Sequence, residues 1–121
     1  MTDISGPDFI TLLVSDLERS FRFYTQQIGW PPSPETRPNA HAFATKPIAI
    51  AIREAPEVAS ENPHPGQGII IWLHTPDSTA LYAELKRRGV PIVEELRKSP
   101  FGMIFSFQDP DGYVISVHDG G

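Results

Sequence analysis

The sequence predicts an α+β fold built from two similar halves, and three observations carry that prediction. Apolar strand-like runs are followed by single amphipathic helices and then by further strand-like runs. Landmarks recur at about half the chain length: Asp16 returns as Asp77, Gly29 as Gly89 and Pro31 as Pro91. Two late strand-like runs are joined by Asp109-Pro110-Asp111-Gly112, a tight hairpin turn in which proline pre-sets φ and glycine accepts positive φ. Each half therefore reads as strand, helix and up to three strands, with the helices outside a strongly curved sheet.

In the first half, residues Phe9 to Val14 are rich in β-formers and predict a strand. Ser15, followed three residues later by Glu18, reads as a capping box that opens a helix. Leu17, Phe21, Tyr24 and Ile28 then recur at steps of four, three and four, which is one helical face, until Gly29 stops it. Eight of the 13 prolines fall between Trp30 and Gly66, so this region is expected to be loop-rich. Within it, His41 to Thr45 and Ile48 to Ile52 read as short extended stretches, and the APEVASENPHPGQG segment reads as a linker.

In the second half, Ile69 to His74 is the expected strand, Thr75 the expected N-cap and Pro76 the first helical residue, where its missing donor costs nothing. Leu81 and Leu85 share a helical face. Lys86, Arg87 and Arg88 sit where cations favour a helix C-terminus before Gly89. Strands follow at Pro91 to Leu96, Phe101 to Gln108 and Tyr113 to His118. By strand alternation Trp72 is expected beneath the helix, with Phe101, Phe105 and Phe107 buried against the sheet.

Composition narrows the function classes. The chain has 121 residues, one domain's worth, of which 40% are hydrophobic and 21% charged. No apolar stretch approaches the ~18 residues of a membrane helix, and Met1 to Ser5 lacks the basic and apolar segments of a signal peptide. A cytoplasmic address without a membrane partner is the expectation. The absence of cysteine excludes disulfides, thiol nucleophiles, thiolate zinc and iron–sulfur sites. A formal charge of -5 argues against nucleic acid and mildly favours a cationic ligand.

The run LLVSDLERSFRFYTQQIGW from Leu12 to Trp30 and the closing DPDGYVISV from Asp109 to Val117, set on the duplicated plan, resemble the vicinal oxygen chelate superfamily. That superfamily includes glyoxalase I, extradiol dioxygenases and bleomycin-resistance proteins. The resemblance covers roughly Asp8 to His118. It implies two βαβββ modules forming a curved mixed sheet around a cleft: module one at about 8–54, a linker at about 55–66 and module two at about 67–119, within a single domain spanning 1–121. It also implies a homodimer in which a second subunit completes the cleft.

Metal-dependent members place a histidine in the first strand, an acid in the fourth, a histidine in the fifth and an acid in the eighth. The corresponding places here are Phe9, a residue within Ile48 to Ile52, Ile69 and Ser116. A divalent ion needs several oxygen or nitrogen ligands at ~2.0 to 2.3 Å, and one hydroxyl does not supply them, so no metal and no cofactor is expected. The four histidines show no metal-like spacing, and alternation is expected to point His74 away from Ser116 and His118.

The same alternation assigns Phe9, Thr11 and Leu13, then Ile69, Ile71 and Leu73, then Val114, Ser116 and His118 to a largely apolar cleft floor. Trp30 and Phe43 are expected at its mouth as flat surfaces for a planar ligand. The functional expectation is a metal-free small-molecule-binding protein of bleomycin-resistance type, with no catalytic residue, taking an apolar or aromatic ligand. Its ligand-binding residues would be Phe9, Thr11, Trp30, Phe43, Ile69, Ile71, Val114, Ser116 and His118. The alternatives are a glyoxalase-type lyase or isomerase or a dioxygenase with other metal ligands, and a cofactor-independent catalyst with His118 as general base beside Ser116.

Overall fold

The computed structural model describes residues 2–121. Met1, the first residue of the segment read for a signal peptide, lies outside them. The chain divides into two units, residues 1–60 and 61–121. Each unit holds a four-stranded mixed sheet with few, short helices, which is the expected α+β class.

The first unit contains β1 (Phe9–Val14), α1 (Leu17–Arg22) continued by a π-helical segment (Phe23–Ile28), β2 (Pro32–Arg37), β3 (Ala40–Phe43), β4 (Ala49–Glu54) and α2 (Pro56–Glu61), the last of which ends at the unit boundary. Its strand order is β1-β4-β3-β2, with β1 parallel to β4 and the other pairs antiparallel. Asp16, not Ser15, caps α1: its carboxylate accepts the Arg19 amide at 3.1 Å, while the Ser15 hydroxyl accepts from the Arg19 guanidinium. Widening to π geometry brings the Gly29 amide onto the Tyr24 carbonyl at 3.0 Å, and Gly29 closes the helix at φ 93°.

The proline-rich stretch after Trp30 forms β2 rather than open loop. It is tolerated because β2 is the edge strand, where missing donors need not leave a ladder unpaired. The segment read as a linker likewise carries α2.

Leu12 and Ile52 of the first sheet stand in register with His41, and Ile50 stands with Phe43. The helical side chains cover this face. Phe21 lies 4.3 Å from the His41 ring, and Tyr24 lies 5.6 Å from the Phe43 ring, centroid to centroid. Leu12, Val14, Phe23, Tyr24, Phe43 and Ile52 are buried there.

The second unit repeats the plan: β5 (Ile71–His74), α3 (Ser78–Arg87), β6 (Ile92–Ser99), β7 (Gly102–Gln108) and β8 (Val114–His118), in the order β5-β8-β7-β6. The cap is again one aspartate later than expected. Asp77 accepts the Ala80 amide at 3.0 Å, which places Thr75 and Pro76 before the helix. Leu85, Phe105, Phe107, Ile115 and Val117 are buried, and the Tyr82 ring meets Phe105 edge-on at 5.4 Å, so α3 covers this face of the sheet. The basic triplet at the end of α3 is engaged locally: Arg87 and Arg88 pair with Glu84, and Lys86 lies 3.9 Å from Glu95.

Among the described residues no helix is long and apolar enough to cross a membrane.

Candidate functional site

The candidate site lies on the face of the second unit's sheet opposite α3. The β5–β8 register sets its composition: Trp72 pairs with Ser116, and His74 with His118. On β7, Ile104 pairs with His118, Ser106 with Ser116 and Gln108 with Val114, while β6 brings Glu94 beside Ser106. Paired residues project to the same face, so a row of mixed aromatic, polar and apolar side chains is left open.

This register corrects the sequence expectation for β5. Ile71 pairs with Ile115 and Leu73 with Val117, the buried face beneath α3, whereas Trp72 is 43% exposed. Ile71 is therefore on the opposite side of the sheet from Ser116. Ile69 precedes the strand, which begins at Ile71. The physical reason is that residues 69 to 73 are apolar at every position, so no alternation marks which phase is inward. His74 is corrected with Trp72. Its ring stands 5.3 Å from that of His118 on one face, where the two had been expected to diverge.

Among the described residues three adjoining cavities lie on this face. The largest, about 490 Å3, runs between the Pro63–Ile70 segment and the sheet, where Glu94, Gln108, Gly112, Val114 and Ser116 complete its wall. A second, about 210 Å3, shares Ile70, Glu94 and Ser116 with it and adds Trp72, Arg97, Ile104, Phe105 and Ser106. A third, about 170 Å3, is bounded by Trp72, Phe101 and His118. Phe101, expected in the core, is 61% exposed at its rim and 6.2 Å from the Trp72 ring, because β7 starts only at Gly102.

The polar centre of the face is a hydrogen-bonded chain. The Ser106 hydroxyl donates to Glu94 Oε1 at 2.8 Å and lies 2.9 Å from the Ser116 hydroxyl. Ser106 is 2% and Ser116 6% exposed. The His118 imidazole is held at ring distance by Trp72, 5.9 Å away, and its Nδ1 is buried without a hydrogen-bond partner. At the strand's end, the amides of Ser78 and Met103 donate to the Asp119 carboxylate at 3.1 and 2.8 Å. Those bonds, Ser78's first, hold its pKa below the ordinary carboxylate value.

Of the expected ligand-binding residues, Ile69, Val114 and Ser116 line the largest cavity, and His118 the smallest. Phe9 and Thr11 stand exposed on the first unit's sheet, on the face opposite Leu12 and Val14. Phe43 is corrected: it is 1% exposed within the aromatic cluster beneath the first helix, because its register with Ile50 turns it to the covered face. Trp30 stacks on Tyr24 at 5.1 Å in the same cluster. Glu94, Ser106, Gln108, Ile70 and Trp72 escaped the sequence reading. Ser106 carried a signal, as the single polar residue between Phe105 and Phe107 in an apolar strand.

A model of the Glyoxalase/Bleomycin resistance protein/Dioxygenase superfamily matches residues 6–117. The chain belongs to that superfamily. Several solved structures share its fold. The antibiotic-binding protein TnmS3 from Streptomyces sp. CB03234 is 25% identical, with all of both chains covered and a TM-score of 0.75. A glyoxalase-related enzyme from Fulvimarina pelagi is 22% identical over 96% of this chain and 88% of its own, with a TM-score of 0.76. A glyoxalase family protein from Bacillus anthracis, described as putative, is 18% identical over 100% and 99%, with a TM-score of 0.79.

Metal-binding members of the superfamily would hold their ion at the strand positions named above, and the residues present do not fit one. Phe9 and the isoleucines and alanines of 48–52 carry no donor, and on the Ser116 face β5 presents Trp72. Among the described residues no three His, Cys, Asp or Glu side chains are grouped to hold a metal ion.

Proposed function

We propose that this protein is a metal-free small-molecule-binding protein of the bleomycin-resistance type, and that it takes an apolar or aromatic ligand on the open face of the second unit. The observation that carries the reading is the 490 Å3 cavity, in which Ile69, Ile70 and Val114 supply an apolar wall and a few fixed polar groups supply orientation. Trp72, with His118 and Phe101 beside it, offers flat surface to a planar ligand at the adjoining end of the same face. The full-length likeness to an antibiotic-binding protein supports the same reading. No cofactor and no catalytic residue belongs to it. The chain is further proposed to act as a homodimer, as the sequence resemblance implies, and to work in the cytoplasm.

Titration of the purified protein with naphthalene-based compounds, followed by amide chemical shifts, tests the ligand. Saturable shifts at Val114, Ser116 and Ile70 are expected, and shifts confined to other regions would overturn the assignment. Elemental analysis after purification without chelator should find no stoichiometric transition metal. About one zinc, nickel, iron or manganese per chain surviving dialysis would replace this reading with the enzyme alternative. Sedimentation equilibrium should give twice the 13.4 kDa chain mass.

A further inference from the structure

The direction of the hydrogen bonds in the Glu94–Ser106–Ser116 chain fixes what these three side chains can offer a ligand. In its carboxylate form Glu94 can only accept, so the 2.8 Å contact commits the single hydroxyl hydrogen of Ser106 to Glu94 Oε1. Ser106 then has only lone pairs left for its 2.9 Å contact with Ser116, and the hydrogen in that contact must come from Ser116. Both hydroxyl hydrogens thus point along the chain toward the carboxylate. Ser116 Oγ, on the wall of the largest cavity, retains only acceptor capacity.

The neighbouring chemistry reinforces this polarity. Of the residues lining the cavity, Glu94 alone is an Asp, Glu, Lys or Arg. The side chains of His64, Gln67 and Gln108 can each donate or accept, so they do not oppose it. Arg97 lines the second cavity and not this one.

Resting on the proposed binding function, we infer that Glu94, Ser106 and Ser116 form an acceptor-only wall by which the cavity selects ligands presenting a hydrogen-bond donor, above all a protonated amine on an apolar or aromatic body. A carboxylate or other acceptor-only group in the same place would face lone pairs and a negative charge and would gain no hydrogen bond from the chain. A protonated amine gains a charge-assisted bond instead.

The test uses the full chain and three probes with one ring system: 1-naphthylmethylamine, 1-naphthalenemethanol and 1-naphthoate, each titrated by amide chemical shift. The amine should bind tightest, the alcohol next, and the naphthoate at least about tenfold more weakly than the amine. In Glu94→Gln the amide can donate to Ser106, the chain is free to reverse, and the preference should shrink to about threefold or less. In Ser106→Ala the Ser116 hydrogen is released, and naphthoate should gain affinity relative to the parent.

Equal affinity for amine and naphthoate at Val114 and Ser116, or a preference unchanged in Glu94→Gln, would overturn the acceptor wall while leaving the binding function standing. If no probe shifts those amides, the binding function fails at this cavity and the inference falls with it. Glu94 is exposed and Ser106→Ala deletes one hydroxyl, so both variants are expected to fold, as the amide spectrum itself reports.

Discussion

The two units start their helices with the same devices and place their tryptophans in opposite ways. Asp16 and Asp77 cap the two helices by accepting the amide three residues on. A second carboxylate, from the end of each unit's last central strand, takes the first helical amide: Glu54 accepts from Leu17 at 3.2 Å and Asp119 from Ser78 at 3.1 Å. These contacts fix each helix start to its sheet and place negative charge where the helix dipole favours it. Beyond that the units diverge. In the first, Phe21, Tyr24, Trp30 and Phe43 gather beneath the helix, whereas in the second Trp72 and the two histidines stand on the open face. Both units therefore bury aromatic rings beneath a helix, and the phase of β5 leaves Trp72 and His74 on the open face of the second, where the candidate site lies.

The comparison is sharpest at Phe43 and Trp72, and the largest expected effect is at the first. Phe43→Ala should lower unfolding free energy by about 3 to 5 kcal/mol in denaturant titration, since it empties a fully buried ring position among three other aromatics. A loss below about 1 kcal/mol would mean that the cluster is not the core it is described as.

A smaller loss, about 1 to 3 kcal/mol, is expected for Gly102→Ala, a position specific to the second unit. Gly102 has φ 87°, and a Cβ there would stand 2.3 Å from the Asp119 carboxylate and 2.9 Å from the Gly120 amide nitrogen. The substitution therefore strains the backbone and displaces the acceptor of the Ser78 and Met103 amides together. The thermal midpoint reads it.

Asp119 itself gives a pH test. Its native pKa is lowered by the Ser78 and Met103 amides, so its stabilisation is fully present above the unfolded-state value and is lost as pH falls through the lower native value. Asp119→Asn should melt below the parent at about pH 7, and the gap should close as the pH falls through the parent's lowered native value and its carboxyl takes up a proton. A gap that persists unchanged into acid would show that geometry rather than charge carries the contact.

The smallest effect on stability, within about 0.5 kcal/mol, is expected for Trp72→Ala, because the ring is nearly half exposed. Arene binding should nonetheless weaken severalfold by chemical-shift titration. Loss of stability without loss of binding would reverse the contrast with Phe43.

Much of the fold was legible because it rests on local chemistry. β1 falls on its expected residues, Gly29 ends the first helix and the Asp109–Gly112 turn forms with the Asp109 carboxylate accepting the Asp111 and Tyr113 amides. The recurrence of Asp16, Gly29 and Pro31 at about sixty residues announced two units with one strand order. Both helix caps were placed too early, since serine, threonine and aspartate stand close together and each is a competent cap.

What the sequence by itself determined is most of the strands, the two long helices, the duplication, and the residue types at Phe9, Ser116 and the 48–52 strand. These depend on residue type and spacing alone. Only the tertiary structure decided which face of β5 carries Trp72 and His74, that Phe43 lies beneath a helix, and that Glu94, Ser106 and Ser116 from three strands form one hydrogen-bonded chain. The reason is that side-chain direction in a strand reverses with a shift of one residue. Where every position is apolar, as from Ile69 to Leu73, only pairing with a neighbouring strand sets the phase, and that pairing joins residues more than forty positions apart.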